Sequence, residues 1–170
     1  KGALVLRVVQ YGKLPKHGLL RTRLWTAGER NCRDDYAVMS LSIEDDAESR
    51  ALWPHAFRVE VTVALEGNRI DVELEIENTG ATPFSFTGAL HTYLRVTEVE
   101  RIALQGLRGL EYRDAANGDA IKREGLPALS VDAEVDRIYH NVSGALLLSD
   151  SGKHLGVHAE GFPDAVVWNP

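Results

Sequence analysis

The side chains best suited to chemistry begin with a histidine set in a strand-like stretch, P-F-S-F-T-G-A-L-H-T-Y-L-R-V, from Pro83 to Val96. If this stretch is extended, its side chains divide by parity. Phe84, Phe86, Leu90, Leu94 and Val96 point to one face, and Ser85, Thr87, Ala89, His91, Tyr93 and Arg95 to the other. The first face suits packing. The second surrounds an imidazole with small residues, leaving room for a ligand the size of a sugar ring. Histidine is the side chain whose ordinary titration range suits proton transfer near neutrality, and a hydrogen-bonded structural histidine is the competing reading.

A second constellation sits in Y-G-K-L-P-K-H-G, from Tyr11 to Gly18, where His17 is followed four residues later by Arg21. A loop carrying His, Arg and two lysines can cradle an anion; a solvated loop is the plain alternative. The remaining candidate chemistry is sparse. The chain has one cysteine, Cys32, which rules out an intrachain disulfide framework and a cysteine-based zinc site. The net charge of -6 and the scatter of basic residues among acids disfavour general nucleic-acid binding.

The elements that must position these residues read as strands. Phe57, Val59, Val61, Val63 and Leu65 alternate with Arg58, Glu60 and Thr62. After the turn Glu66-Gly67-Asn68, Ile70, Val72, Leu74 and Ile76 alternate with acids. This is an antiparallel hairpin with one charged face, and its carboxylates are simplest as a solvated surface. Gly2 to Gln10 is nearly continuous and apolar, as in a strand buried on both faces. Glu44 to Arg50 reads as an acidic loop, L-W-P-H at Leu52 to His55 as a turn packed by its tryptophan, and Glu111 to Leu126 as a long polar surface loop. Further short strands are expected at Glu98–Leu107, Leu129–Ala133, Ala145–Leu148 and His154–His158. No helical period is evident, and many short strands in one chain of 170 residues predict an all-β, antiparallel sandwich.

Composition is that of a folded, water-soluble protein. No apolar run reaches the roughly 18 to 20 residues of a membrane span. The chain opens on Lys1 and not on Met, so its compartment is read as cytoplasmic by default, with an organellar leader left open.

Taken in order, six strings resemble the hexose-6-phosphate mutarotases (glucose-6-phosphate 1-epimerases) of the galactose-mutarotase-like superfamily. They are L-P-K-H-G-L-L-R at Leu14–Arg21, L-W-P-H-A-F at Leu52–Phe57, E-N-T-G at Glu77–Gly80, A-L-H-T-Y-L at Ala89–Leu94, E-V-D-R-I-Y at Glu134–Tyr139 and P-D-A-V-V-W-N-P at Pro163–Pro170. The ordered set covers essentially the whole chain.

The resemblance implies a single supersandwich-type domain over residues 1–170, incomplete at both ends, with the sugar in an open cleft on a concave sheet. It implies that His91 is the general acid, that His17 and Asp136 hold the sugar, and that Arg21, helped by Lys16 and Lys1, holds the phosphate. For Asp136 an ion pair with the neighbouring Arg137 at a turn is the structural alternative. Anomer interconversion needs one acid and one base, and no metal or redox cofactor is called for. The implied partner is a small-molecule sugar phosphate, with no nucleic acid or membrane, and a monomer is expected.

Three departures from the family pattern stand out. The family's general base is a glutamate that falls beyond Pro170, so the segment alone is expected to be inactive. Lys16 stands where the family has glutamine, and Lys1-Gly2-Ala3 and Val9-Gln10-Tyr11-Gly12 replace its opening strings. A non-catalytic carbohydrate-binding or assembly subunit with the same fold is the second class of function the sequence allows.

Overall fold

The computed structural model describes the backbone of Ala3–Val5 and residues 18–170. Its strands, in chain order, are β1 (Ala3–Val5), β2 (Thr26–Cys32), β3 (Tyr36–Glu44), β4 (Phe57–Glu66), β5 (Arg69–Asn78), β6 (Ala89–His91) and β7 (Ala103–Gln105). They continue with β8 (Glu111–Asp114), β9 (Ala120–Arg123), β10 (Ala128–Leu129), β11 (Val135–Tyr139), β12 (Leu146–Asp150), β13 (Lys153–Val157) and β14 (Ala165–Asn169). Every pairing is antiparallel. The chain divides into two units, Lys1–Tyr93 and Leu94–Pro170.

In the first unit, β2-β3-β4-β5 form a four-stranded meander and β1 pairs with β6. The alternation in β4 and β5 does what its period requires. Val59 faces Ile43 and Ile76 across the sheet, Val61 faces Leu41 and Leu74, and Val63 faces Met39 and Val72, so one face is apolar throughout. Leu19, Leu20, Trp53 and Phe57 close over the Ile43 and Val59 end as a buried cluster, with Trp25 and Phe84 packed against it. The other end, with Met39, Leu65, Ile70 and Val72, is exposed.

The acidic stretch expected as a loop is a six-residue helix, α1 (Ala47–Leu52). It forms because Asp46 is a good cap. Its carboxylate accepts from the Ser49 backbone N–H at 2.7 Å, and its own N–H donates to Ser49 Oγ at 2.9 Å. That reciprocal pair satisfies helix-end donors which water would otherwise have to satisfy. Asp45 fastens the other side by accepting from the Phe57 N–H at 2.9 Å.

The second unit holds two four-stranded sheets, β10-β7-β12-β13 and β14-β11-β8-β9. Leu104, Leu129 and Leu146 of the first sheet meet Tyr112, Val135, Tyr139 and Val167 of the second, around buried Leu107 and Val131. This is a sandwich core. The segment Glu111–Leu126, expected as a surface loop, supplies β8 and β9 instead. Its acids misled because two of them are buried. Asp114 accepts from Lys122 Nζ at 2.7 Å and from Asn117 Nδ2 at 3.0 Å, and these donors, Lys122 first, hold its carboxyl below the usual carboxylate range.

The Pro83–Val96 stretch is not one continuous strand: only Ala89–His91 pair, as β6. Pro83 has no N–H to give a ladder. Phe84 packs on Trp53 as its parity predicts, and Phe86 meets the Phe84 ring edge-on at 6.3 Å while staying partly exposed; Leu94 is exposed. Of the apolar run Gly2–Gln10, Ala3–Val5 form β1, and the rest lies outside the described residues.

Candidate functional site

His91 ends β6, in register with Ala3 of β1, and is exposed. Its position is prepared some distance back along the chain. Asn78 at the end of β5 accepts from the Gly80 N–H at 3.0 Å and donates to the Thr82 carbonyl at 2.9 Å, which closes the E-N-T-G turn. The chain then passes Phe84, whose ring meets Trp53 edge-on at 4.7 Å between centroids. Trp53, 4% exposed, also packs on Phe57 and stands 4.6 Å from the His55 ring. The L-W-P-H-A-F and E-N-T-G strings therefore act as an anchor for the approach to the A-L-H strand. An exposed imidazole on such a support can give or take a proton.

Arg21 follows Leu19 and Leu20, which are buried, and is itself exposed. Gly18 before them has φ of 75°, the left-handed region that favours glycine. Trp25 Nε1 donates to the Leu20 carbonyl at 3.3 Å. Two buried leucines thus tether a turn whose next side chain is a guanidinium in water, suited to binding an anion. Its near neighbour Arg23 is committed elsewhere, to Asp46 and to Glu48 at 3.3 Å. His17, Lys16 and Lys1 lie outside the described residues.

Asp136 belongs to the second unit, as the second residue of β11. The expected alternative, an ion pair with Arg137 at a turn, is not what forms. Adjacent strand residues point to opposite faces, and Arg137 turns to the core side. There it donates to Glu124 at 3.1 Å and lies 4.8 Å over the Tyr112 ring. Asp136 is half-buried on the other face, directly across from Trp168 of β14. That register is pinned beyond the strands. Asp164 accepts from the Asn141 N–H at 3.3 Å and pairs with His140 Nδ1 at 3.1 Å, and Val142 N–H donates to the Pro163 carbonyl at 2.8 Å. His140, Asp164 and Asn78 are positioning residues that the sequence alone did not single out. Asn78 falls within the E-N-T-G string and Asp164 within P-D-A-V-V-W-N-P, while His140 falls within none of the six strings.

Among the described residues, no group of three or more His, Cys, Asp or Glu side chains is arranged to hold a metal ion. No helix among them is long and apolar enough to cross a membrane. Cys32 is an exposed free thiol.

Comparison with known proteins bears on the same segments. A family model described as aldose 1-epimerase matches residues 3–170. The chain belongs to the aldose 1-epimerase family. Among its relatives is a protein of Cenchrus ciliaris named "Putative glucose-6-phosphate 1-epimerase", 32% identical, with the match covering 94% of this chain and 52% of that protein. An Escherichia coli protein of the same name is 26% identical over 92% of this chain and 52% of its own length. The chain spans about half the length of the curated relatives it matches.

A crystal structure described as a "putative mutarotase (YeaD)" from Salmonella typhimurium superposes with a TM-score of 0.85 at 24% identity, covering 98% of this chain and 55% of that one. The Slr1438 protein of Synechocystis sp. PCC 6803 superposes at 0.83 with 20% identity, covering 99% of this chain and 60% of that one. At these identities the likeness is one of fold. The all-β antiparallel architecture expected from strand spacing is thus the mutarotase-like fold of this member of the aldose 1-epimerase family.

Proposed function

We propose that this protein interconverts the α and β anomers of a hexose 6-phosphate, glucose 6-phosphate being the leading case. The observation that carries the reading is the exposed imidazole of His91 at the end of β6, in a chain whose family model spans residues 3–170. The name borne by the Cenchrus ciliaris relative supports the phosphorylated substrate.

In the reaction a base removes the proton of the anomeric hydroxyl while His91 delivers a proton to the ring oxygen. The C1–O bond to the ring oxygen breaks, C1 becomes the aldehyde carbon, and rotation about C1–C2 presents its other face. Closure reverses the transfers: the ring oxygen attacks C1, His91 recovers its proton, and the new anomeric oxygen is protonated. Asp136 accepts hydrogen bonds from sugar hydroxyls, and Arg21 holds the phosphate through charge-assisted contacts that an unphosphorylated sugar lacks. His17, Lys16 and Lys1 complete the roles, the first on the sugar and the lysines on the phosphate. A positioned acid of this kind is worth about 100- to 10,000-fold in rate.

The test is the rate at which pure α-glucose 6-phosphate reaches its anomeric equilibrium, followed by polarimetry with the purified full-length protein, the expected glutamate base included. A rate well above buffer is expected, with unphosphorylated glucose served less well. Binding of the sugar phosphate with no acceleration would replace this reading with that of a carbohydrate-binding subunit.

A further inference from the structure

The face of the β14-β11-β8-β9 sheet that carries Asp136 presents more than a carboxylate. Residues directly opposed in an antiparallel pair share a face, with Cβ atoms about 4.5 to 5.5 Å apart. Trp168 is the direct partner of Asp136, and Val166 is the direct partner of Ile138. Trp168 and Val166 are 52% and 56% exposed, whereas Val167 between them turns inward against the sandwich core. The face therefore sets a large accessible indole beside a half-buried acid.

We infer that Trp168 is a sugar-binding residue, a stacking platform for the pyranose ring whose hydroxyls donate to Asp136. This rests on the hexose phosphate reading above and adds to it the group that reads the ring itself.

The chemistry of the pair matches a pyranose on both of its surfaces. The flat side of such a ring is a set of C–H bonds with slight positive charge, and the indole face is negative, so the two attract while both leave water. The ring's edge is a fringe of hydroxyls that must keep hydrogen-bond partners when water is displaced. A carboxylate accepts from two of them, and the indole Nε1–H donates to a third. The position is fixed from outside the pair, because the clasp of Asp164 with Asn141 and His140 holds β14 in register with β11. A one-residue slip would move Trp168 to the other face and bring Val167 beside the acid. The other two tryptophans are not available for this role, since Trp53 is buried and Trp25 is half-buried with its N–H donated to Leu20.

Stacking reads the ring and not the phosphate, so its removal should weaken glucose and glucose 6-phosphate by the same factor. The experiment is acrylamide quenching of tryptophan fluorescence with and without each sugar, together with calorimetric affinities of the wild type, Trp168→Phe and Trp168→Ala. Bound sugar should protect the quenchable emission, and Trp168→Phe should abolish that protection while keeping most of the affinity. Trp168→Ala should lose about 3- to 10-fold for both sugars, as expected of an aromatic contact. A wild type that binds glucose 6-phosphate and equilibrates its anomers, but whose Trp168 stays equally quenchable, overturns the platform and leaves the proposed reaction standing. Undiminished affinity in Trp168→Ala does the same. A wild type that binds neither sugar overturns both.

Discussion

Tyr139 donates its phenolic hydroxyl to Glu124 at 2.8 Å in the core of the second unit, where the tyrosine is fully buried and the acid nearly so. The Arg137 guanidinium reaches the same carboxylate oxygen at 3.1 Å. This network lies on the reverse face of the strand that presents Asp136, so one face of β11 builds the core and the other carries the proposed sugar contact.

Removing the phenol leaves a buried carboxylate short of one donor. Tyr139→Phe should therefore destabilise the protein by about 1 to 3 kcal/mol, read as a lower urea midpoint with an unchanged slope. Burial pushes the Tyr139 phenol above its usual value of 10, against the opposing pull of Arg137. The folded state then holds that proton more tightly than the unfolded chain does. Its contribution is fully present below pH 10 and declines as pH rises beyond, and Tyr139→Phe should flatten that alkaline decline. Unfolding curves at pH 8 to 11 that overlay for both proteins would show the network to be idle.

At the acid end the relevant group is Asp46. The Ser49 backbone N–H, followed by Arg23, holds its carboxyl down at about 2, below the ordinary 3.8. A lowered folded value means stability that is present above 3.8 and lost as pH falls toward 2. Asp46→Asn keeps an acceptor for the cap and cannot titrate, so its melting temperature should vary less with pH across that window. Asp46→Ala should lose the cap as well and melt lower at neutral pH. A pH profile identical to wild type in the asparagine variant would place the acid sensitivity elsewhere.

Much of this architecture was readable from period alone. The β4–β5 hairpin emerges where the alternation of Phe57 to Leu65 and Ile70 to Ile76 placed it, because a two-residue period has one interpretation when one face is apolar. Helix α1 escaped because six residues are too few to show a period, and its evidence lay in the capping chemistry of Asp46 and Ser49. The β8–β9 pair escaped because composition treats Asp114 and Glu124 as solvent-seeking, while Lys122 and Arg137, distant in the reading of a loop, keep them buried. The site divides in the same way. The separation of Asp136 from Arg137 follows from parity, but the juxtaposition of Asp136 with Trp168 needs a register between strands 32 positions apart, which no local pattern encodes.

In the proposed reaction the phosphate is assigned to Arg21. Arg21→Ala should weaken glucose 6-phosphate by about 10- to 100-fold, the worth of a charge-assisted hydrogen bond, and leave free glucose nearly unchanged. Calorimetric titration of both sugars separates the cases. Equal losses for the two ligands would remove Arg21 from the phosphate and return it to the surface.

The most direct measurement concerns His91. Magnetisation exchange between the anomeric protons of α- and β-glucose 6-phosphate reports the interconversion rate at equilibrium, after subtraction of the buffer rate. The full-length wild type should exceed buffer, and His91→Ala in the same full-length protein should lose about 100-fold or more in kcat with its urea midpoint and sugar-phosphate affinity close to wild type. A His91→Ala protein that turns over at the wild-type rate would contradict the assignment of the acid and, with it, the account of the reaction.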